Sequence, residues 1–127
     1  MELPALVTAA ALLEYIYFTM RVGFSREKFG VDAPATSGHP EWERYFRVQQ
    51  NTLEQLIVFL PALWMFATFV SAAIASIIGC AFLLGRVLYF AAYVKDPRTR
   101  AVGFVMGFLA NMVLLLGGIA GALYRII

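Results

Sequence analysis

From Leu56 to Gly85 the chain carries no charged side chain. A helix needs about 20 apolar residues to cross a bilayer, so this stretch is too long for one span, and a break is expected near residues 69–73. Ser71 is a suitable N-cap for a helix that begins there. The sequence therefore predicts two consecutive membrane-spanning helices, at about residues 41–69 and 72–95.

Two further apolar stretches flank this pair. Leu3–Met20 is interrupted only by Glu14, and Ala101–Tyr124 contains no charge. With their polar ends they predict helices at about residues 3–26 and 97–125, the latter with Asp96 as N-cap and a proline at its first position. The segment between the first two helices is rich in Gly, Pro and Ser and is expected to be a loop.

The composition agrees with a membrane protein. Hydrophobic residues make up 61% of the chain and charged residues 14%, whereas soluble domains carry about 25% charged residues. The fold class that we predict is an all-α membrane protein, a four-transmembrane-helix bundle forming a single domain over residues 1–127. The net charge of +2, without a basic run, argues against a nucleic-acid partner. The N-terminus lacks the features of a cleaved signal peptide, so the first helix is expected to be retained.

Basic residues cluster in two of the three connections between the predicted spans. They are Arg21, Arg26, Lys28, Arg44 and Arg47 around the first connection, and Lys95, Arg98 and Arg100 in the third. Because basic connections stay in the cytoplasm, we expect both to face it. The chain is then a multi-pass protein of a bacterial inner membrane or its equivalent.

Polar side chains recur at helical spacing at this cytoplasmic end. They are Arg47, Asn51 and Glu54 on the second helix, Arg86, Tyr89 and Tyr93 on the third, and Arg100 near the start of the fourth. A charge in hydrocarbon costs about 2.5–3.5 kcal/mol, so such groups usually face the protein interior or a wet cavity. Their excess of cations predicts a site for a small anion. For Lys28, Lys95 and Arg98 we prefer snorkelling to lipid headgroups.

Glu14 and the glycine pairs of the fourth helix each leave two readings open. Glu14 is either a hydrogen-bonded structural acid or a proton-coupled group. The pairs Gly103 with Gly107 and Gly117 with Gly121 allow close helix approach, either within the bundle or between subunits.

The run Glu41–Glu54, with Arg47, Asn51 and Glu54 at its end, resembles the second-helix signature of the MAPEG family. This name stands for membrane-associated proteins in eicosanoid and glutathione metabolism. The run Arg86–Tyr89, followed by Tyr93 and Arg100, resembles the leukotriene-C-forming branch of that family. The resemblance implies a homotrimer with one glutathione site between neighbouring subunits, open to the cytoplasm.

The resemblance also implies roles for individual residues. Arg100 would be catalytic by favouring the glutathione thiolate, because a nearby cation lowers a thiol pKa. The residues expected to bind glutathione are Arg26, Arg47, Gln49, Asn51, Glu54, Arg86, Tyr89 and Tyr93. No metal is expected. The second substrate would be a lipophilic electrophile or a lipid hydroperoxide reaching the site through the membrane lipids, as suits a detoxifying transferase or peroxidase.

Two positions depart from the family pattern. Gln55 stands where the leukotriene-C branch has a tyrosine that holds the ligand, and Met112 where it has a tryptophan that covers the lipid tail. Selectivity for one eicosanoid is therefore not expected. Two other readings remain: a non-catalytic lipid-binding member of the same family, and a small multidrug transporter that uses Glu14.

Overall fold

The structure, a computed structural model, describes residues 1–127, and all of its regular secondary structure is helical. They are α1 (Glu2–Phe29), α2 (Pro40–Phe69), α3 (Ala72–Lys95), a 3₁₀ turn (Pro97–Thr99) and α4 (Ala101–Ile126). All four α-helices are long and apolar enough to cross a membrane. This confirms the prediction of an all-α chain with four such helices and indicates an integral, multi-pass membrane protein.

Capping residues mark where the helices begin and end. α1 runs three residues beyond its expected end and stops at Gly30, whose φ of 68° is left-handed; a residue without a Cβ adopts this conformation at little cost. α2 begins after His39, whose Nδ1 accepts a hydrogen bond from the Glu41 amide at 3.1 Å. α3 begins after Ser71, whose hydroxyl accepts from the Ile74 amide at 3.2 Å.

The fourth helix begins later than the sequence predicts. Asp96 caps the amide of Arg98 at 3.1 Å, but it does so at the start of the 3₁₀ turn and not of α4. The turn closes because the Thr99 amide and hydroxyl both bond to the Asp96 carbonyl. The α-helical bonds of α4 start with the Phe104 amide donating to the Arg100 carbonyl, so Arg100 is the N-cap residue of α4.

Packing places α2 and α3 at the centre of the bundle. α1 packs against both of them on one side, and α4 packs against both on the other. The main core lies towards the C-terminal half of α2, where Phe59 and Phe82 stack with ring centres 3.8 Å apart. The polar residues singled out from the sequence lie towards the other end of the bundle. There Arg44 donates to the carbonyls of Val94 and Lys95, which ties the start of α2 to the end of α3.

The glycines of α4 allow close packing within the chain. A Cβ on Gly103 would lie 2.4 Å from the Tyr89 amide nitrogen on α3, and one on Gly121 would lie 2.8 Å from the Phe69 carbonyl oxygen on α2. Of the two readings left open for these glycines, the structure supports close approach between helices of one chain.

Candidate anion-binding cavity

A cavity of about 680 Å³ opens between α2, α3, the 3₁₀ turn and α4. Its lining residues are Arg47, Asn51, Tyr89, Tyr93, Arg98, Arg100, Ala101, Phe104 and Val105. The lining contains three arginines and no carboxylate. A cavity with this charge attracts an anion, and its size suits a small organic molecule.

The α2 wall is formed by Arg47 and Asn51, which lie one turn apart on the same helix face. Arg47 is exposed to the cavity. Asn51 is only 8% exposed, and its Oδ1 has no hydrogen-bond partner within the chain. A buried oxygen without a partner costs about 1–3 kcal/mol, so this position favours a ligand that donates an N–H or O–H group.

The α3 wall is formed by Tyr89 and Tyr93, whose rings stack with centres 5.3 Å apart. Tyr89 is buried and packs with Phe18 and Val48 from the two neighbouring helices. Its ring therefore has a fixed position, while the less buried Tyr93 lies nearer the end of the helix. The two rings give the cavity a flat, rigid side with phenol hydroxyls as polar groups.

Arg100 and Arg98 form the third wall. The Nη1 of Arg100 donates to the Pro97 carbonyl at 2.8 Å, and its position as N-cap puts it at the positive end of the α4 dipole. Arg98 donates from Nε and Nη2 to the two carboxylate oxygens of Asp96, at 3.1 Å each. These bonds hold the pKa of Asp96 below its ordinary value and raise that of Arg98. Arg100, unlike Arg98, has no carboxylate partner within the chain, so its positive charge is not neutralised by an ion pair.

Glu54 lies beside the cavity and not in its lining. Its Oε1 is 3.7 Å from the Nη1 of Arg47, and both side chains are about half exposed. The face of α2 that the sequence predicts, with Arg47, Asn51 and Glu54 together, is thus present, with its acidic member at the edge.

Arg26 and Gln49 lie away from this cavity. Arg26 donates to the carbonyls of Ala35 and Val31 and lies 4.5 Å above the ring of Trp42, so it orders the loop between α1 and α2. Gln49 donates to the Thr19 hydroxyl on α1 at 3.1 Å. Arg26 belongs to α1, and Gln49 faces α1 from α2, whereas the cavity lies on the α4 side of α2.

Arg86 also lies outside the lining. It is 1% exposed, and its Nη2 donates to the hydroxyl of Thr52 at 2.8 Å inside the bundle. Its guanidinium carbon is 4.4 Å from the centre of the Tyr89 ring, on which it stacks. Arg86 therefore stands behind one wall of the cavity.

Several residues near the site were not predicted from the sequence. Arg98 was assigned to lipid headgroups but lines the cavity, and Phe104 lies one turn after Arg100, a spacing that could have identified it. Asn111, only 4% exposed, donates to the Oε1 of Gln55 at 3.0 Å. Gln55 is thus held against α4. No group of three or more His, Cys, Asp or Glu side chains is placed to hold a metal ion.

Comparison with protein-family models finds one match, to the MAPEG family, over residues 4–120. An uncharacterised protein of Synechocystis is 46% identical over 123 residues, which are 97% of this chain and 90% of that protein.

Two named relatives are also similar. Human microsomal glutathione S-transferase 2 is 37% identical over 115 residues, covering 89% of this chain and 78% of the human protein. Mouse leukotriene C4 synthase is 38% identical over 98 residues, covering 77% of this chain and 65% of the mouse protein. The first relative is named as a glutathione transferase and the second as a leukotriene synthase.

Proposed function

Since the chain belongs to the MAPEG family, we propose that it is a membrane-bound glutathione transferase with peroxidase capacity. It would activate the glutathione thiol as a thiolate for attack on lipophilic electrophiles or lipid hydroperoxides. The observation that carries this proposal is the cavity lined by three arginines and no carboxylate.

Glutathione matches the cavity group by group. It has two carboxylates, one ammonium, two peptide groups and a thiol, with a net negative charge. Arg47 binds a carboxylate with charge-assisted hydrogen bonds, and Glu54 at the edge binds the ammonium. The unpartnered Oδ1 of Asn51 accepts a hydrogen bond from a peptide N–H. The tyrosine hydroxyls bind the remaining acceptors.

Arg100 supplies the activation. A free thiol has a pKa of about 8.5 and is mostly protonated at neutral pH. The guanidinium of Arg100 and the N-terminus of α4 stabilise the thiolate, and the thiol proton passes to solvent. Phe104 and Val105 provide an apolar surface next to this group for the second substrate.

Two reactions follow from one thiolate. With an electrophile, the thiolate forms a sulfur–carbon bond and the leaving group departs with the bonding electrons. With a lipid hydroperoxide, the thiolate attacks the terminal oxygen and the O–O bond breaks, which gives the lipid alcohol after protonation. The resulting glutathione sulfenic acid reacts with a second glutathione to give the disulfide and water.

Two of the expected ligand residues outside the cavity, Arg26 and Gln49, fit a site shared between subunits. Arg26 lies on α1 and Gln49 on the side of α2 that faces α1, so both are away from the cavity of their own chain. In a homotrimer, the α1 side of one subunit would face the cavity of the next and complete the glutathione site. The site would open to the cytoplasm, and the electrophile would enter from the surrounding lipid.

The direct test is glutathione conjugation to a chloronitrobenzene by the purified protein in detergent, together with glutathione binding by calorimetry. We expect saturable binding and conjugation above the uncatalysed rate. Lipid binding without any glutathione binding would overturn the proposal in favour of a non-catalytic member of the family. Measurement of the mass of the detergent-solubilised assembly tests the trimer separately.

A further inference from the structure

Glu14 on α1 and Arg86 on α3 are charged residues within membrane-spanning helices, and the proposed reaction uses neither of them. Arg86 is 1% exposed, and its Nε has no hydrogen-bond partner. Its one side-chain partner is the neutral hydroxyl of Thr52. A buried cation of this kind is stable only with compensating charge nearby, so the position of Glu14 matters.

Glu14 lies on the face of α1 that packs into the bundle. Ala11, one turn before it, and Phe18, one turn after it, are both buried. Phe18 stacks on Phe90 of α3 at 4.9 Å and packs with Val48 of α2.

Phe18, Phe90 and Val48 thus meet at one level of the bundle. Residues four apart lie on the same helix face, so the next level, one turn farther from the cavity end, contains Glu14, Arg86 and Thr52. These three side chains are here called the charged layer. The hydrogen bond of 2.8 Å between Arg86 and Thr52 agrees with this arrangement.

Within the charged layer, Arg86 is the cation and Glu14 is the carboxylate, while Thr52 is neutral. The two form no direct ion pair. From α2 the layer receives only the neutral Thr52, while Arg47 and Glu54 lie on another face of that helix. From α4, which packs against α2 and α3, Gly107 lies beside the Arg86 side chain, and the only charged residue of that helix is Arg125 in its last turn.

Tyr89 connects the charged layer to the cavity. The Arg86 guanidinium lies 4.4 Å from the centre of the Tyr89 ring, and Tyr89 lines the cavity together with Arg47 and Arg100. The charge of Arg86 is therefore separated from the cavity by one aromatic ring. In a poorly solvated region such a charge acts over this distance with little screening.

We propose that Glu14 and Arg86 are positioning residues that set the electrostatic potential of the cavity from inside the bundle. Arg86 holds Tyr89 in the cavity wall and adds positive charge behind it, and Glu14 sets how much of that charge reaches the bound thiolate. The inference rests on the proposed function, because the anion concerned is glutathione.

The test is the absorbance of bound glutathione thiolate, followed against pH in the purified protein. Glu14→Gln removes a negative charge at nearly constant shape, so thiolate formation should shift to a midpoint about half a unit to one unit lower in pH. Glu2→Gln is the matched control, since it makes the same change on the same helix at a side chain that is 96% exposed; it should leave the midpoint unchanged. Glu14→Asp keeps the charge and should keep the wild-type midpoint.

Arg86→Gln is an independent test in which the pH midpoint of thiolate formation should shift in the opposite direction, because loss of the buried cation should raise it. Equal midpoints for Glu14→Gln and Glu2→Gln, or a midpoint in Arg86→Gln that is not raised, would overturn the inference and leave the proposed function intact. A wild-type protein without any glutathione-dependent thiolate signal would overturn the proposed function, and this inference with it.

Discussion

Arg47 and Glu54 are joined across two turns of α2 by an ion pair in which Nη1 and Oε1 are 3.7 Å apart and both side chains are about half exposed. Exposed pairs contribute about 0–1 kcal/mol to stability. Opening this pair therefore costs little, and a ligand with a carboxylate and an ammonium can bind both partners at once. In the proposed site, the pair would hold the two side chains beside the cavity before glutathione binds.

Arg47→Ala should weaken glutathione binding by about 10–100-fold, because hydrogen bonds to a charged group contribute about 1.5–3 kcal/mol. Turnover at saturating glutathione should change little, since the residue binds ground state and transition state alike. Calorimetric titration and steady-state kinetics measure the two effects. Arg125→Ala, at the opposite end of α4, removes the same charge and should leave both unchanged. Unaltered affinity in Arg47→Ala would show that the ligand carboxylates bind elsewhere.

Arg100→Ala should lower turnover about 100-fold, in the range found when an electrostatic stabiliser of a developing anion is removed. Glutathione affinity should fall much less than turnover, because Arg47 and Asn51 remain. Lys95→Ala is the control: Lys95 is a cation at the same end of the bundle that does not line the cavity. If the two variants retain equal turnover, Arg100 has no part in thiolate formation.

The helices could be predicted because the signals for them are local. Uncharged stretches mark the spans, and Ser71 marks the start of α3 by a hydrogen bond within its own first turn. The start of α4 could not be located, because Asp followed by Pro caps a 3₁₀ turn as well as it caps an α-helix. In the structure the turn is also tied to α3, because the Thr99 hydroxyl donates to the Ala92 carbonyl, a contact between segments that local sequence signals do not reveal.

The candidate site could be predicted as far as helix faces determine it. Arg47 and Asn51, or Tyr89 and Tyr93, meet because of their spacing on one helix. The sequence does not reveal which neighbour each face meets, so the contacts of Arg26 and Gln49 were not foreseen. Asn111 escaped notice because it bonds to Gln55, a residue 56 positions away along the chain.

Acid should loosen the turn before α4. The hydrogen bonds from Arg98 hold the pKa of Asp96 below its ordinary value of 3.8. The stabilisation is therefore complete above that value and is lost as the pH falls through the lower, folded-state pKa. Carboxyl NMR should show Asp96 titrating below 3.8, and Arg98→Ala should return its midpoint towards 3.8, whereas Lys95→Ala should not. An unchanged midpoint in Arg98→Ala would mean that another group holds the carboxylate.

Gly103 and Gly107 lie one turn apart on α4, yet alanine should have opposite effects at the two positions. A Cβ at Gly103 would lie 2.4 Å from the Tyr89 nitrogen and 2.6 Å from the Gly85 oxygen, backbone atoms that cannot move aside alone. Gly103→Ala should therefore lower the free energy of unfolding by about 1–3 kcal/mol, as overpacking does.

At Gly107 the nearest atom to the added Cβ is 3.7 Å away, an ordinary contact. Gly107→Ala should therefore stabilise by up to about 1 kcal/mol, because alanine restricts the unfolded chain and favours the helix. Thermal unfolding of both variants in one detergent measures the difference. Gly103 also sets the distance between α4 and Tyr89, so its variant should bind glutathione more weakly than Gly107→Ala. Similar melting temperatures for the two variants would show that α3 and α4 are not in the close contact on which the cavity walls depend.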